Sequence, residues 1–132
     1  MYQIVVYSKK ESSNVQLSKN FKVREFACKD GSNVVLVDPL LVWILQSVRD
    51  HFGKPVNITS GYRTVSYNAK IDGSASDSLH TYGMAADIVV TGVKASEVQA
   101  YLETIMPGTG GIGKASHYTH VDTRATKARW TY

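Results

Sequence analysis

Two stretches decide how this chain reads: Ser78-Leu79-His80-Thr81-Tyr82-Gly83-Met84-Ala85-Ala86-Asp87 and, further along, His117-Tyr118-Thr119-His120-Val121-Asp122. Of the histidines, all but His51 fall in these segments, beside carboxylates. A catalytic zinc takes three protein ligands from His, Asp, Glu or Cys and keeps its fourth position for water. His80, Asp87 and His120 meet that count. Gly83 permits a tight turn between a loop holding His80 and a strand holding Asp87, since glycine has no Cβ to oppose it. Ala85 and Ala86 leave room beside a metal, and His120 would arrive from a neighbouring strand. Spacing alone leaves another reading open, a surface His–Asp pair sharing a hydrogen bond.

Outward from Asp87, Ala85–Val90 reads as a buried strand. Residues 110–113 and 118–123 read as a strand pair, and 128–132 as a last short strand. Upstream, Pro39–Phe52 is the clearest helix, with Asp38 as N-cap, Pro39 at the first position and Gly53 closing the end. Leu41, Ile44, Leu45, Val48 and Phe52 form its core-facing stripe, which Leu40 and Trp43 widen. Val56–Ser60 reads as a strand running into the turn Gly61-Tyr62-Arg63. Residues 65–71 suggest a short helix, 73–78 a loop, and 96–106 an amphipathic helix stopped by Pro107-Gly108. Residues 8–20 are polar and read as a surface loop or arm after a short first strand. The expected fold is α+β, a small antiparallel sheet with two main helices, in one domain over residues 1–132.

Composition bounds the rest. Apolar residues are 43% and charged residues 20% of 132 positions, which fits one packed core and excludes a disordered chain or a coiled coil. No apolar run approaches the roughly 18 residues of a membrane span. The opening Tyr2–Tyr7 stretch is too short for the apolar region of a signal peptide. Net charge is +4, but the basic residues are scattered and no nucleic-acid-binding module is recognisable. That charge favours acidic partners such as nucleic acid, anionic wall polymers or a membrane surface. The single cysteine, Cys28, excludes an internal disulfide and reads as a small buried thiol.

Ser-x-His-x-x-Gly-x-Ala-x-Asp followed by His-x-Asp resembles the zinc D-Ala-D-Ala carboxypeptidases and dipeptidases, and most closely the small single-domain wall hydrolases of bacteria and phages. Phe26–Gly31, Ser60-Gly61-Tyr62-Arg63, His120–Arg124 and Ala128-Arg129-Trp130 extend the likeness over about residues 17–132. The resemblance implies a hedgehog/DD-peptidase-like fold and one zinc per chain on His80, Asp87 and His120. It makes Arg63 the arginine that faces the substrate. Several relatives carry Glu or Asp three positions before the last zinc histidine, where this chain has His117. The base that takes the water proton is therefore His117, if a turn carries it round, or Asp122, which shares a strand face with His120. Asp122 also suits a carboxylate that orients a ligand histidine. Ser78 and Tyr82 are expected at the substrate, and Tyr62 and Tyr118 are near enough to line a cleft.

The function implied is hydrolysis of peptidoglycan stem peptides, at a D-Ala-D-Ala terminus or a cross-link, by a metal-activated water. The chain would act as a monomer at the bacterial wall, without nucleic-acid or membrane partners. Without a visible export signal, it would be phage-encoded and endolysin-like or exported by another route. Two other readings stand beside this one. The zinc could be structural in an inactive wall- or partner-binding module, as in the hedgehog signalling domain, or the hydrolase could act on a dipeptide outside the wall.

Overall fold

The computed structural model describes residues 3–71, 75 and 77–132. Along the chain run β1 (Val5–Ser8), α1 (Lys9–Ser12), β2 (Gln16–Ser18), β3 (Phe21–Lys22), β4 (Val34–Val37), α2 (Pro39–Phe52), β5 (Val56–Ser60) and α3 (Val65–Ala69). There follow β6 (Ala85–Val90), α4 (Ala95–Ile105), β7 (Gly111–Lys114), β8 (Thr119–Asp122) and β9 (Ala128–Thr131). Single 3-10 turns cover Val23–Phe26 and Leu79–Tyr82.

Five strands form the central sheet, in the order β5-β6-β8-β7-β9. Its first four strands are antiparallel neighbours, as the sequence predicts, while β9 adds to β7 in parallel. Alternation gives the sheet two unlike faces. Ala86, Ile88, Val90, Ile112 and Val121 turn into the core, where Leu41, Ile44, Leu45 and Val48 of α2 and Val98 and Leu102 of α4 meet them. Emptying one such position, Leu45→Ala for example, costs about 2–5 kcal/mol. The opposite face carries the chemistry.

Helix α2 has the expected bounds because its signals agree. Asp38 Oδ1 accepts from the Leu40 amide at 2.9 Å, and Gly53 ends the helix at φ 63°. Leu40 and Trp43, however, do not widen the core stripe: they are 50% and 58% exposed. At 100° per residue they lie together on a flank turned away from the Leu41–Leu45–Val48 line.

The segment 8–20 is also more structured than a loop. Ser8 caps α1 through the Glu11 amide, Asn33 accepts from the Lys10 amide at 2.7 Å, and β2 pairs with β3. Strand β1 pairs with β4 in register Val5↔Val37 to Ser8↔Val34. The helix expected over 65–71 closes at Ala69. Of the loop expected over 73–78, residues 73, 74 and 76 lie outside the described residues, and residues 75, 77 and 78 carry neither helix nor strand.

Candidate metal centre

Strand register assembles the site. Ser60 pairs with Asp87, Asp87 with His120, His120 with Gly113, and Gly113 with Trp130, so one row crosses all five strands. A register shift between Ile58 and Ser60 brings Ser60 opposite Asp87, the usual effect of a bulge on a side chain's aim. Glycine at 113 belongs to this row for a steric reason: a Cβ there would lie 2.7 Å from the Trp130 indole.

His80 comes from outside the sheet. Ser78 Oγ accepts from the His80 amide and starts the 3-10 turn, and Gly83 ends it at φ 75°. A Cβ on Gly83 would stand 2.5 Å from the Leu36 carbonyl oxygen. The turn therefore needs glycine twice over, for its left-handed conformation and for its close approach to β4.

One ligand atom each of His80, Asp87 and His120 lies within 4.8 Å of the other two. Asp87 Oδ1 is 3.4 Å from His80 Nε2 and 3.2 Å from His120 Nδ1. The far side of each ring is tied. His80 Nδ1 donates to the Gly61 carbonyl at 2.8 Å, and His120 Nε2 donates to Asp122 Oδ2 at 2.8 Å. In the neutral imidazoles those bonds fix the tautomers, leaving a lone pair on each inner nitrogen facing the Asp87 carboxylate. Two lone pairs and an anion in a buried space call for a cation between them. Tetrahedral ligands about 2.0–2.1 Å from an ion stand about 3.3 Å apart, which matches both spacings to Asp87. The three residues thus fit a metal ion.

Electrostatics keep Asp87 anionic, and at the inner ring nitrogens a proton and a cation compete for the same lone pairs. Burial pushes the Asp87 carboxyl up, but hydrogen bonds and charge from His120 and His80 outweigh it and hold the group well below the usual carboxylate range. For His120, burial acts downward, yet Asp122 and Asp87 leave it raised above an ordinary histidine. Arg63 closes the other side of Asp87. Its Nη2 reaches Asp87 Oδ2 at 3.4 Å, its Nε donates to Ser60 Oγ at 2.9 Å, and its Nη1 donates to Asn68 Oδ1 at 3.2 Å.

Asp122 is fully buried. Oδ2 takes bonds from His120 and from Arg124 Nη2 at 2.7 Å, while Oδ1 takes the Gly111 amide and Arg124 Nε. Its carboxyl lies well below the usual range; burial opposes this, and His120 and Arg124 prevail. Both of its oxygens are thus engaged, one of them by the His120 ring. Arg124 in turn lies 5.1 Å above the Trp130 ring.

A cleft of about 610 Å³ opens over this centre. Arg63 and Ser78 line it together with the His–Asp–His group. His117 and Tyr82 do not: His117 is exposed in the turn between β7 and β8, and Tyr82 is 51% exposed outside the lining. Tyr118, Trp130 and Tyr132 supply an aromatic wall instead, and Asp77 stands at the rim. Tyr118 is marked in the sequence by its place beside the His120 motif; no local signal marks Tyr132 or Asp77.

Residues 19–122 match the family described as Peptidase M15. The chain belongs to the peptidase M15 family. This M15 chain is 32% identical over 93 residues to the peptidoglycan L,D-endopeptidase MepK of Escherichia coli K12, an alignment covering 66% of the chain and 51% of that relative. It is also 32% identical over 90 residues to the zinc D-Ala-D-Ala carboxypeptidase of Streptomyces albus G, covering 63% of the chain and 35% of that relative. The M15 chain therefore spans about half of the first relative's length and about a third of the second's.

Proposed function

We propose that this chain is a zinc-dependent peptidase of peptidoglycan stem peptides, acting as a monomer at the bacterial wall. The observation that carries the reading is the pair of imidazoles held by Gly61 and Asp122 so that both inner ring nitrogens face Asp87. His80, Asp87 and His120 would hold one zinc, which supplies a Lewis acid for the scissile carbonyl and an activated water. The relatives' names, one a peptidoglycan endopeptidase and one a zinc carboxypeptidase, support the same substrate class.

The chain's own residues have distinct tasks. Arg63 offers a permanently charged fork beside Asp87, suited to a substrate carboxylate or to negative charge developing on the carbonyl oxygen. Asp122 keeps the His120 ring in place and in its tautomer. The Ser78 hydroxyl fixes the turn that carries His80, and Ser78 lines the cleft. His117 points from an exposed turn outside the cleft, and Asp122 has no open oxygen. Among the described cleft residues, Asp77 is the remaining carboxylate beyond the ligand set. We assign to Asp77 the acceptance of the water proton.

Purified muropeptides incubated with the full chain and resolved by mass spectrometry test this reading. Release of D-Ala, or splitting of cross-linked dimers, that stops with a chelator and returns with zinc supports it. A zinc-loaded chain that cleaves nothing in the panel points to the inactive binding module.

A further inference from the structure

Asn68, on the short helix α3, is 2% exposed and lies outside the cleft lining. A buried amide needs partners at both of its ends. Asn68 Oδ1 accepts from Arg63 Nη1 at 3.2 Å, and its Nδ2 donates to the Ala75 carbonyl at 2.7 Å. A guanidinium only donates and a carbonyl only accepts, so these neighbours fix which way the amide points. They also account for the residue type. Aspartate could not donate to Ala75, and leucine could serve neither partner.

The two partners lead to two parts of the cleft. Arg63 lines it, with Nε on Ser60 and Nη2 on Asp87, both members of the metal row. The Arg63 amide also donates to the His80 carbonyl at 3.0 Å. Those bonds fix Arg63 to the sheet and to the His80 turn; the bond to Asn68 leads outside both. Ala75 lines the cleft as well, two residues before Asp77. The carbonyl that Asn68 holds also accepts from the Ser78 amide at 3.2 Å, a bond that spans Asp77. Helix α3 is itself anchored. Thr64 caps it through the Tyr67 amide and donates to Asp30 Oδ2 at 2.7 Å.

We propose that Asn68 is a positioning residue that holds the Arg63 guanidinium and the segment bearing Asp77 in a fixed relation within the cleft. It acts through those two groups. Hydrolysis needs the charge that stabilises the carbonyl oxygen and the group that takes the proton to be in place together. A misplacement of about 1 Å can cost about 10²-fold in rate. The catalytic part of this role rests on the peptidase reading and on Asp77 as proton acceptor; the placement itself is measured without turnover.

The zinc-loaded full chain is compared with Asn68→Ala and Asn68→Asp. NMR follows water exchange of the Arg63 Nη1 protons and the shift of the Ala75 carbonyl carbon, and steady-state kinetics follow cleavage of a soluble muropeptide. Asn68→Ala removes both bonds, so the Nη1 protons should exchange faster, the Ala75 signal should move, and kcat should fall about 10- to 100-fold with zinc retained. Asn68→Asp keeps an acceptor for Arg63 but sets an anion against the Ala75 carbonyl. Its Nη1 protons should stay protected while the Ala75 signal moves, with KM within about twofold and kcat about tenfold lower. A folded, zinc-loaded Asn68→Ala with the wild-type kcat overturns the positioning role, whatever the signals do. If Asn68→Ala does not fold, Asn68→Asp decides, and a wild-type kcat there overturns the link to Asp77. A wild-type chain that cleaves nothing sinks the peptidase reading instead. The two signals then decide the placement: movement in Asn68→Ala upholds it, and unmoved signals overturn it.

Discussion

His120 Nε2 lies 2.8 Å from Asp122 Oδ2, two residues on along the same strand. The strand's alternation puts both side chains on one face, and the Gly111 amide and Arg124 hold the carboxylate still. A ligand histidine and the group that orients it are thus encoded in one tripeptide.

Breaking that pair without changing shape should loosen the metal. Asp122→Asn keeps the volume but removes the charge, and zinc affinity should fall about 10- to 100-fold. Competition with a chromogenic chelator measures this. An unchanged affinity would mean that the Asp122 contact is only structural.

The two candidates for the proton acceptor separate cleanly. His117→Ala should leave kcat within about threefold, because the ring is outside the cleft. Asp77→Asn should lower kcat by about 10²-fold or more, the usual worth of a general base, while retaining zinc. Steady-state kinetics on a soluble stem peptide decide it, and the reverse ranking would restore His117.

Glycine at 83 should tolerate no side chain. Gly83→Ala would meet the Leu36 carbonyl and force alanine into a left-handed conformation, costing about 2–4 kcal/mol. Gly111→Ala would collide with the Asp122 carboxylate and should lower zinc affinity as well as stability. Denaturant unfolding of the zinc-free protein isolates the first effect.

Glu103 gives a pH dependence away from the centre. Its hydrogen bond from Arg129, with a smaller contribution from Lys114, holds its carboxyl below the usual glutamate range against the effect of desolvation. A depressed carboxyl stabilises the fold fully above the unfolded value near 4.5 and loses that contribution as pH falls through the lower folded value. The stability gap between wild type and Glu103→Gln should therefore be present at neutral pH and close in acid. Being partly exposed, the pair contributes little and the gap should shrink with salt. Urea titrations at several pH values follow it.

Some of this was legible in the sequence because local signals agreed. Asp38, Pro39 and Gly53 fixed α2 at both ends, and the apolar run Ile88–Val90 marked β6 beside a strand pair that includes β8, so the row holding Asp87 and His120 could be anticipated. Other features depend on contacts no local pattern records. Val34–Val37 pairs along its whole length with β1, a partner no local pattern names. The segment 8–20 has no period, and Asn33 and Gln46 side chains organise it from a distance. The periodicity of α2 showed apolar residues on two flanks but not that one flank lacks a partner. His117 matched a family position by spacing, yet it lies in the turn before β8, outside the strand register that aims His120 inward.

The most direct test is the zinc content of the full chain after exhaustive dialysis, by elemental mass spectrometry, for wild type, His80→Ala, Asp87→Ala and His120→Ala. The expected result is one zinc per wild-type chain and almost none in any variant, with near-ultraviolet circular dichroism confirming that each variant is folded. Wild type without zinc, or folded variants that keep it, would contradict the metal centre described here.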